Sequence, residues 1–230
     1  MTNNFLYHAI YKNEELFLEK GDSNKQYEIY SVTKSIVSLL LGLWFKKNPQ
    51  HNIQSKIFPT LGLKEDLSYW GKINLFDLLT HRSGIKWREL GLSWFQREFF
   101  NPLEINIADL SWEKSPQNIV VGGQGIKAKP YILAKIGHLI LNQGIHKTRT
   151  LVPAPWIDFM LTAKHKGYVN YGKYALQWWI PSENYVSAIG YGGQYLVLHL
   201  PSETMGIYFS SLENKPYVLG INHFKHYIEN

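Results

Sequence analysis

Short stretches of β-rich composition lie near both ends of the chain, and apolar positions recur at helical spacing between them. Phe5 to Ile10 and Glu15 to Glu19 read as two short strands around a turn near Lys12-Asn13, and Gly21-Asp22-Ser23-Asn24 as a loop. The longest apolar run, Ile36 to Phe45, is broken by Ser38 and Gly42 and is too short to span a bilayer, so it predicts a buried helix behind Ser31. That helix ends before Asn48-Pro49. Asn74 to Thr80 reads as a short helix with Asn74 as cap and Asp77 in its first turn. Leu92 to Phe100 forms an aromatic helix that Asn101-Pro102 breaks. Pro130 to Asn142 is the best-marked helix. Pro130 fits the first turn, Ile132, Leu133, Ile136, Leu139 and Ile140 make one stripe, and Gly144 closes it. His138 falls off that stripe and is expected at the surface. Pro155 to Ala163 is a further helix. Tyr174 to Ile180, Tyr185 to Ile189, Gln194 to Leu200 and Met205 to Ser210 read as strands, and Tyr217 to Tyr227 as a terminal helix.

Strands at both ends with helices between them predict an α/β (α+β) chain with one antiparallel sheet covered by helices. Residues 1–230 read as a single domain, its sheet from about 1–30 and 170–230 and its helical region from about 31–169. Eight Trp and fifteen Tyr fit a large core and an aromatic-lined cleft. With no cysteine, disulfides and thiolate metal sites are excluded. The first residues lack the pattern of a signal peptide, which makes a cytoplasmic protein with no membrane span the expectation. The net charge is +6, but the lysines are scattered, so a nucleic-acid partner rests on charge alone and is not expected. No other His, Asp or Glu lies at metal-site spacing from His81, and Val120-Val121-Gly122-Gly123-Gln124-Gly125 lacks the preceding strand and the spacing of a nucleotide fingerprint. Neither a metal nor a cofactor is implied. The oligomeric state is not legible.

The chemistry concentrates in Tyr30-Ser31-Val32-Thr33-Lys34-Ser35. Positions i and i+3 share a helix face, which sets Ser31 beside Lys34 at the first turn. A serine hydroxyl is a poor nucleophile until an adjacent base takes its proton. A lysine does this only when neutral, and burial among apolar neighbours lowers its pKa. The run behind it supplies that burial, and the helix N-terminus favours developing negative charge. The same serine would also serve as the N-cap of a buried helix. The tetrad alone leaves both readings open.

Other stretches resemble one family in the right order along most of the chain. The Ser31 motif resembles the nucleophile motif of the serine β-lactamase and penicillin-binding-protein superfamily. Leu78-Leu79-Thr80-His81-Arg82-Ser83-Gly84-Ile85 looks like the signature of its class C-like branch. Gly122-Gly123-Gln124-Gly125-Ile126 with the later Leu141-Asn142-Gln143-Gly144 is similar to a further segment of that family. Tyr171-Gly172-Lys173-Tyr174-Ala175-Leu176-Gln177-Trp178-Trp179 and Gly190-Tyr191-Gly192-Gly193-Gln194 resemble the 6-aminohexanoate-dimer hydrolases in particular.

The resemblance implies a β-lactamase/transpeptidase-like antiparallel sheet flanked by N- and C-terminal helices, with the active site between it and a reduced helical region. It implies Ser31 as the acylated nucleophile and Lys34 as its proton acceptor. It places Tyr191, Gly192 and Gly193 along the cleft, with the backbone N–H groups of Ser31 and Gln194 as oxyanion hole. The chain also departs from the family. No Tyr-x-Asn motif lies between Gly84 and Pro102, and that interval is short. Tyr69, Tyr131 and Tyr191 are the candidates to replace the missing tyrosine. A shortened wall would leave the cleft more open, with Trp87, Trp94 and Phe95 either lining it or serving as core. The function expected is a serine hydrolase acting on an ester, amide or β-lactam-like bond in a small-molecule or short peptide-like substrate. The alternative is a catalytically impaired scaffold that binds a peptide, a cell-wall fragment or a protein partner.

Overall fold

The computed structural model describes residues 5–56, 72–79, 92–114, 120–168, 170–211 and 219–229. In chain order the strands are β1 (Phe5–Lys12), β2 (Glu15–Gly21), β3 (Tyr27–Glu28), β4 (Leu110–Trp112), β5 (Ile126–Ala128) and β6 (Ile145–His146). They continue with β7 (Arg149–Thr150), β8 (Lys173–Tyr174), β9 (Trp179–Ser182), β10 (Tyr185–Gly190), β11 (Gln194–His199) and β12 (Thr204–Ser210). The helices are α1 (Val32–Lys47), α2 (Leu75–Leu79), α3 (Leu92–Phe95), α4 (Pro130–Leu141), α5 (Ala154–Leu161) and α6 (Leu219–Glu229). A π-helical turn, Gln96–Phe100, continues α3.

Seven strands form one antiparallel sheet in the order β2-β1-β12-β11-β10-β9-β8, so strands from the two ends of the chain meet at β1 and β12. Successive side chains on a strand point to opposite faces. On β11, Leu196 and Leu198 join the core shared with α1 and α4, while Tyr195 and Val197 join the core under α6. Both faces are covered, which is why these strands read as continuous apolar runs. Of the two terminal helices implied by the resemblance, α6 packs on β11 and β12, and the first described residue is already in a strand.

Helix α1 is buried from Val32 to Leu43 apart from Lys34, because it lies between the sheet and α5. Gly42 permits that packing, since a Cβ there would overlap the ring of Trp156. The indole N–H of Trp156 donates to the Ser38 carbonyl at 3.1 Å. The cap expected before α2 is present and reciprocal. The Asp77 N–H donates to the Asn74 side chain at 2.9 Å, and the Asn74 N–H donates to the Asp77 carboxylate at 3.1 Å.

Two local expectations are corrected. Tyr174 to Ile180 is not one strand. It is the end of β8, a turn at 175–178 and the start of β9, with Gln177 in the left-handed region at φ 65°. His138 is half-buried rather than at the surface, because β1 also covers α4. Its ring meets Tyr11 edge-on at 5.6 Å, and burial lowers its pKa. No helix among the described residues is long and apolar enough to cross a membrane.

Candidate active site

The site begins where the chain leaves β3. Tyr30 has φ 44°, a left-handed conformation that costs an L-residue energy and is held here by its surroundings. The Ile29 N–H donates to Ile126 at 3.0 Å, and the Ile29 carbonyl lies against the last residue of β10. That residue is Gly190, where a Cβ would overlap the Ile29 carbonyl oxygen, so only glycine lets the two segments approach this closely. The chain then turns into α1. Ser31 occupies the N-cap position but its side chain makes no capping bond. The capping alternative is therefore set aside, because the hydroxyl is engaged elsewhere.

The Lys34 Nζ lies 2.7 Å from the Ser31 Oγ and 2.6 Å from the Gly123 carbonyl oxygen. Burial pulls the Lys34 amine below its ordinary value, with no other cause opposing it. A neutral amine has two N–H donors and one lone pair. With one N–H donated to Gly123, an amine in that neutral form would have its lone pair free for the Ser31 hydroxyl. Among the described residues no carboxylate pairs with Lys34 to hold it charged.

Ser31 and Lys34 open onto a cleft of about 270 Å³ walled by Tyr171, Tyr174, Gln177, Trp179 and Tyr191. Gln177 ties three segments together at the back of it. Its side-chain N–H donates to the Leu79 carbonyl at 2.6 Å, its side-chain oxygen accepts the Tyr174 hydroxyl at 2.9 Å, and its backbone carbonyl accepts the Ser35 hydroxyl at 2.5 Å. The first turn of α1 and the end of α2 are thus fastened to the β8–β9 turn through one buried residue, the former by its backbone carbonyl and the latter by its side-chain amide.

Tyr191 is half exposed, at 53%, and meets Tyr30 edge-on at 5.7 Å. Gly192 and Gln194 border a neighbouring depression that shares Tyr191, and Gly193 packs against Ser210. The Gln194 side chain is buried and clamps the backbone of Ser210. It donates to the Ser210 carbonyl at 2.7 Å and accepts the Ser210 N–H at 3.3 Å. This fixes the start of β11 beside the cleft-lining Gly190 with which it pairs.

Of the described candidates for the missing tyrosine, Tyr191 is the one found at the cleft. Tyr131 is not in its wall, since its hydroxyl donates to Asp109 at 3.0 Å and accepts the Asn106 N–H at 3.2 Å. Tyr69 lies outside the described residues, as do His81 and Trp87. Phe95 is fully buried and stacked on Trp112 at 5.5 Å, and Trp94 packs beside it, so both serve as core. Sequence reasoning missed Gly123 and Gln177 as parts of the site. Among the described residues no group of three His, Cys, Asp or Glu stands close enough to hold a metal.

In sequence the chain matches no family model and no curated protein. In structure it is similar to a provisionally named 6-aminohexanoate-dimer hydrolase from Bacillus anthracis, with TM-score 0.72 and 14% identity over 99% of this chain and 80% of that one. It is similar to the octameric penicillin-binding protein homologue from Pyrococcus abyssi, with TM-score 0.76 and 12% identity over 97% of this chain and 73% of that one. A class C β-lactamase from Rhodobacter sphaeroides matches with TM-score 0.70 and 11% identity over 99% of this chain and 95% of that one. Likeness at such identities speaks to architecture, and the chain has the β-lactamase/transpeptidase-like fold that these hydrolase and penicillin-binding-protein-like structures share.

Proposed function

We propose that the protein is a serine hydrolase that forms an acyl-enzyme at Ser31, with Lys34 as general base, on an ester or amide bond of a small-molecule or short peptide-like substrate. The observation that carries this is the 2.7 Å contact between the Ser31 hydroxyl and a lysine amine whose pKa burial lowers.

In the first half-reaction the Ser31 proton moves to Lys34 and the Ser31 Oγ bonds to the carbonyl carbon. The oxyanion is received by the backbone N–H groups of Ser31 and Gln194, a kind of stabilisation worth about 3–4 kcal/mol per donor when well placed. The carbon–leaving-group bond breaks, and the leaving group takes a proton that began on Ser31. Tyr191, half exposed in the cleft wall, is the tyrosine to which this reading gives that transfer. Water then attacks the acyl carbon, gives its proton to Lys34 and restores Ser31. The missing Tyr-x-Asn motif supports the impaired-scaffold reading, and the Ser31–Lys34 contact supports this one.

A fluorophosphonate probe tests the proposal, because it reacts with activated serines. Labelling of Ser31, absent in Ser31→Ala, is expected. An unlabelled wild-type protein that is shown to be folded contradicts it.

A further inference from the structure

We infer, resting on the hydrolase reading above, that the acyl group accepted at Ser31 is short, uncharged and apolar. The cleft wall is aromatic. The Trp179 ring meets Tyr171 at 4.9 Å and Tyr174 at 4.6 Å, both edge-on, and Ile189 of β10 lines the same space. A substrate carboxylate set among these rings would lose its water and gain no fixed counter-charge from them, a costly exchange.

The one cation among the described lining residues is Lys34. A carboxylate beside it would favour the ammonium form and remove the lone pair that Ser31 needs. The same contact that bound an acidic substrate would therefore switch off its turnover. At about 270 Å³ the cleft is small. It lies at the lower edge of the roughly 300–1,000 Å³ typical of sites for drug-sized ligands. A space of that size takes a short acyl chain, and a long chain does not fit without leaving the cleft.

Two esters with one leaving group separate the outcomes. p-Nitrophenyl butyrate and p-nitrophenyl hemisuccinate are close in size and differ in a terminal methyl against a carboxylate. The expected kcat/KM favours the butyrate by at least about tenfold. Trp179→Leu is expected to lower kcat/KM for the butyrate by about tenfold more than for the acetate, whose acyl group is shorter. Equal or faster turnover of the hemisuccinate, or an equal fall of acetate and butyrate in Trp179→Leu, overturns the inference. Fluorophosphonate labelling of Ser31 tells the two possible failures apart. Labelling without the butyrate preference overturns the acyl-group assignment alone. Neither labelling nor turnover overturns it together with the hydrolase reading beneath it.

Discussion

Replacing Gln177 by leucine isolates the amide that holds the back of the cleft. The side chain is buried, at 2% exposure, and the substitution keeps its bulk while deleting a donor and an acceptor. The carbonyl of Leu79, the last described residue of α2, loses the N–H that it accepts at 2.6 Å. The Tyr174 hydroxyl loses its 2.9 Å acceptor. A buried polar group deprived of its partner costs about 1–3 kcal/mol, so the pair of losses amounts to about 2–4 kcal/mol once the gain in apolar burial is allowed for. Set against a typical stability of about 5–15 kcal/mol, this is a large effect. Urea unfolding followed by tryptophan fluorescence reads it as a lower midpoint at unchanged slope. A double-mutant cycle with Tyr174→Phe is expected to show coupling of at least about 0.5 kcal/mol. A loss below about 0.5 kcal/mol, the range of ordinary surface substitutions, would refute the role given to Gln177.

Gly190→Ala is expected to weaken Ser31 labelling more than it weakens the sheet, because its Cβ displaces Ile29, two residues before the nucleophile. Unchanged labelling kinetics would contradict that. The labelling rate of the wild type is expected to rise with pH as Lys34 loses its proton. Because burial lowers the Lys34 pKa, the midpoint lies below that of a free lysine, and Lys34→Ala loses this rise. A midpoint at or above the free-lysine value speaks against the buried neutral base. On the far face of the sheet His8 packs on Tyr208 and His223 with Lys20 nearby, and burial first, then the nearby His223 and Lys20, lowers its pKa. The folded value lies below the unfolded one, so its contribution to stability is full above about pH 6.5 and declines as pH falls towards the folded pKa. His8→Phe should flatten that acid-side loss in urea midpoints measured from pH 7 to pH 5, and an unchanged slope excludes His8 as its source.

The parts legible in the sequence were local ones. Ser31 and Lys34 lie within one helical turn, and their contact follows from spacing alone. The strands Tyr185–Gly190, Gln194–His199 and Thr204–Ser210 show in their own residues, because burial on both faces leaves a continuous apolar record. What escaped was tertiary. Gly123 reaches Lys34 from 89 residues away, and it offers a carbonyl, which every residue has, so its side chain gives no signal. Gln177 meets Ser35 across 142 residues, and its left-handed backbone cut an apolar stretch that otherwise reads as one strand. His138 was misplaced because the stripe on α4 reports its packing on the sheet but not the approach of Tyr11 from β1. Tyr131 has the right chemistry and the wrong neighbours, which only the path of the chain decides.

The most direct test of the Ser31–Lys34 pair is p-nitrophenyl ester hydrolysis by the wild type, Ser31→Ala and Lys34→Ala, each first shown to be folded. The wild type should turn the ester over, Ser31→Ala should fall to the uncatalysed background, and Lys34→Ala should lose about a hundred- to ten-thousandfold, the usual worth of general base help. Equal rates in all three proteins would contradict the account at its root.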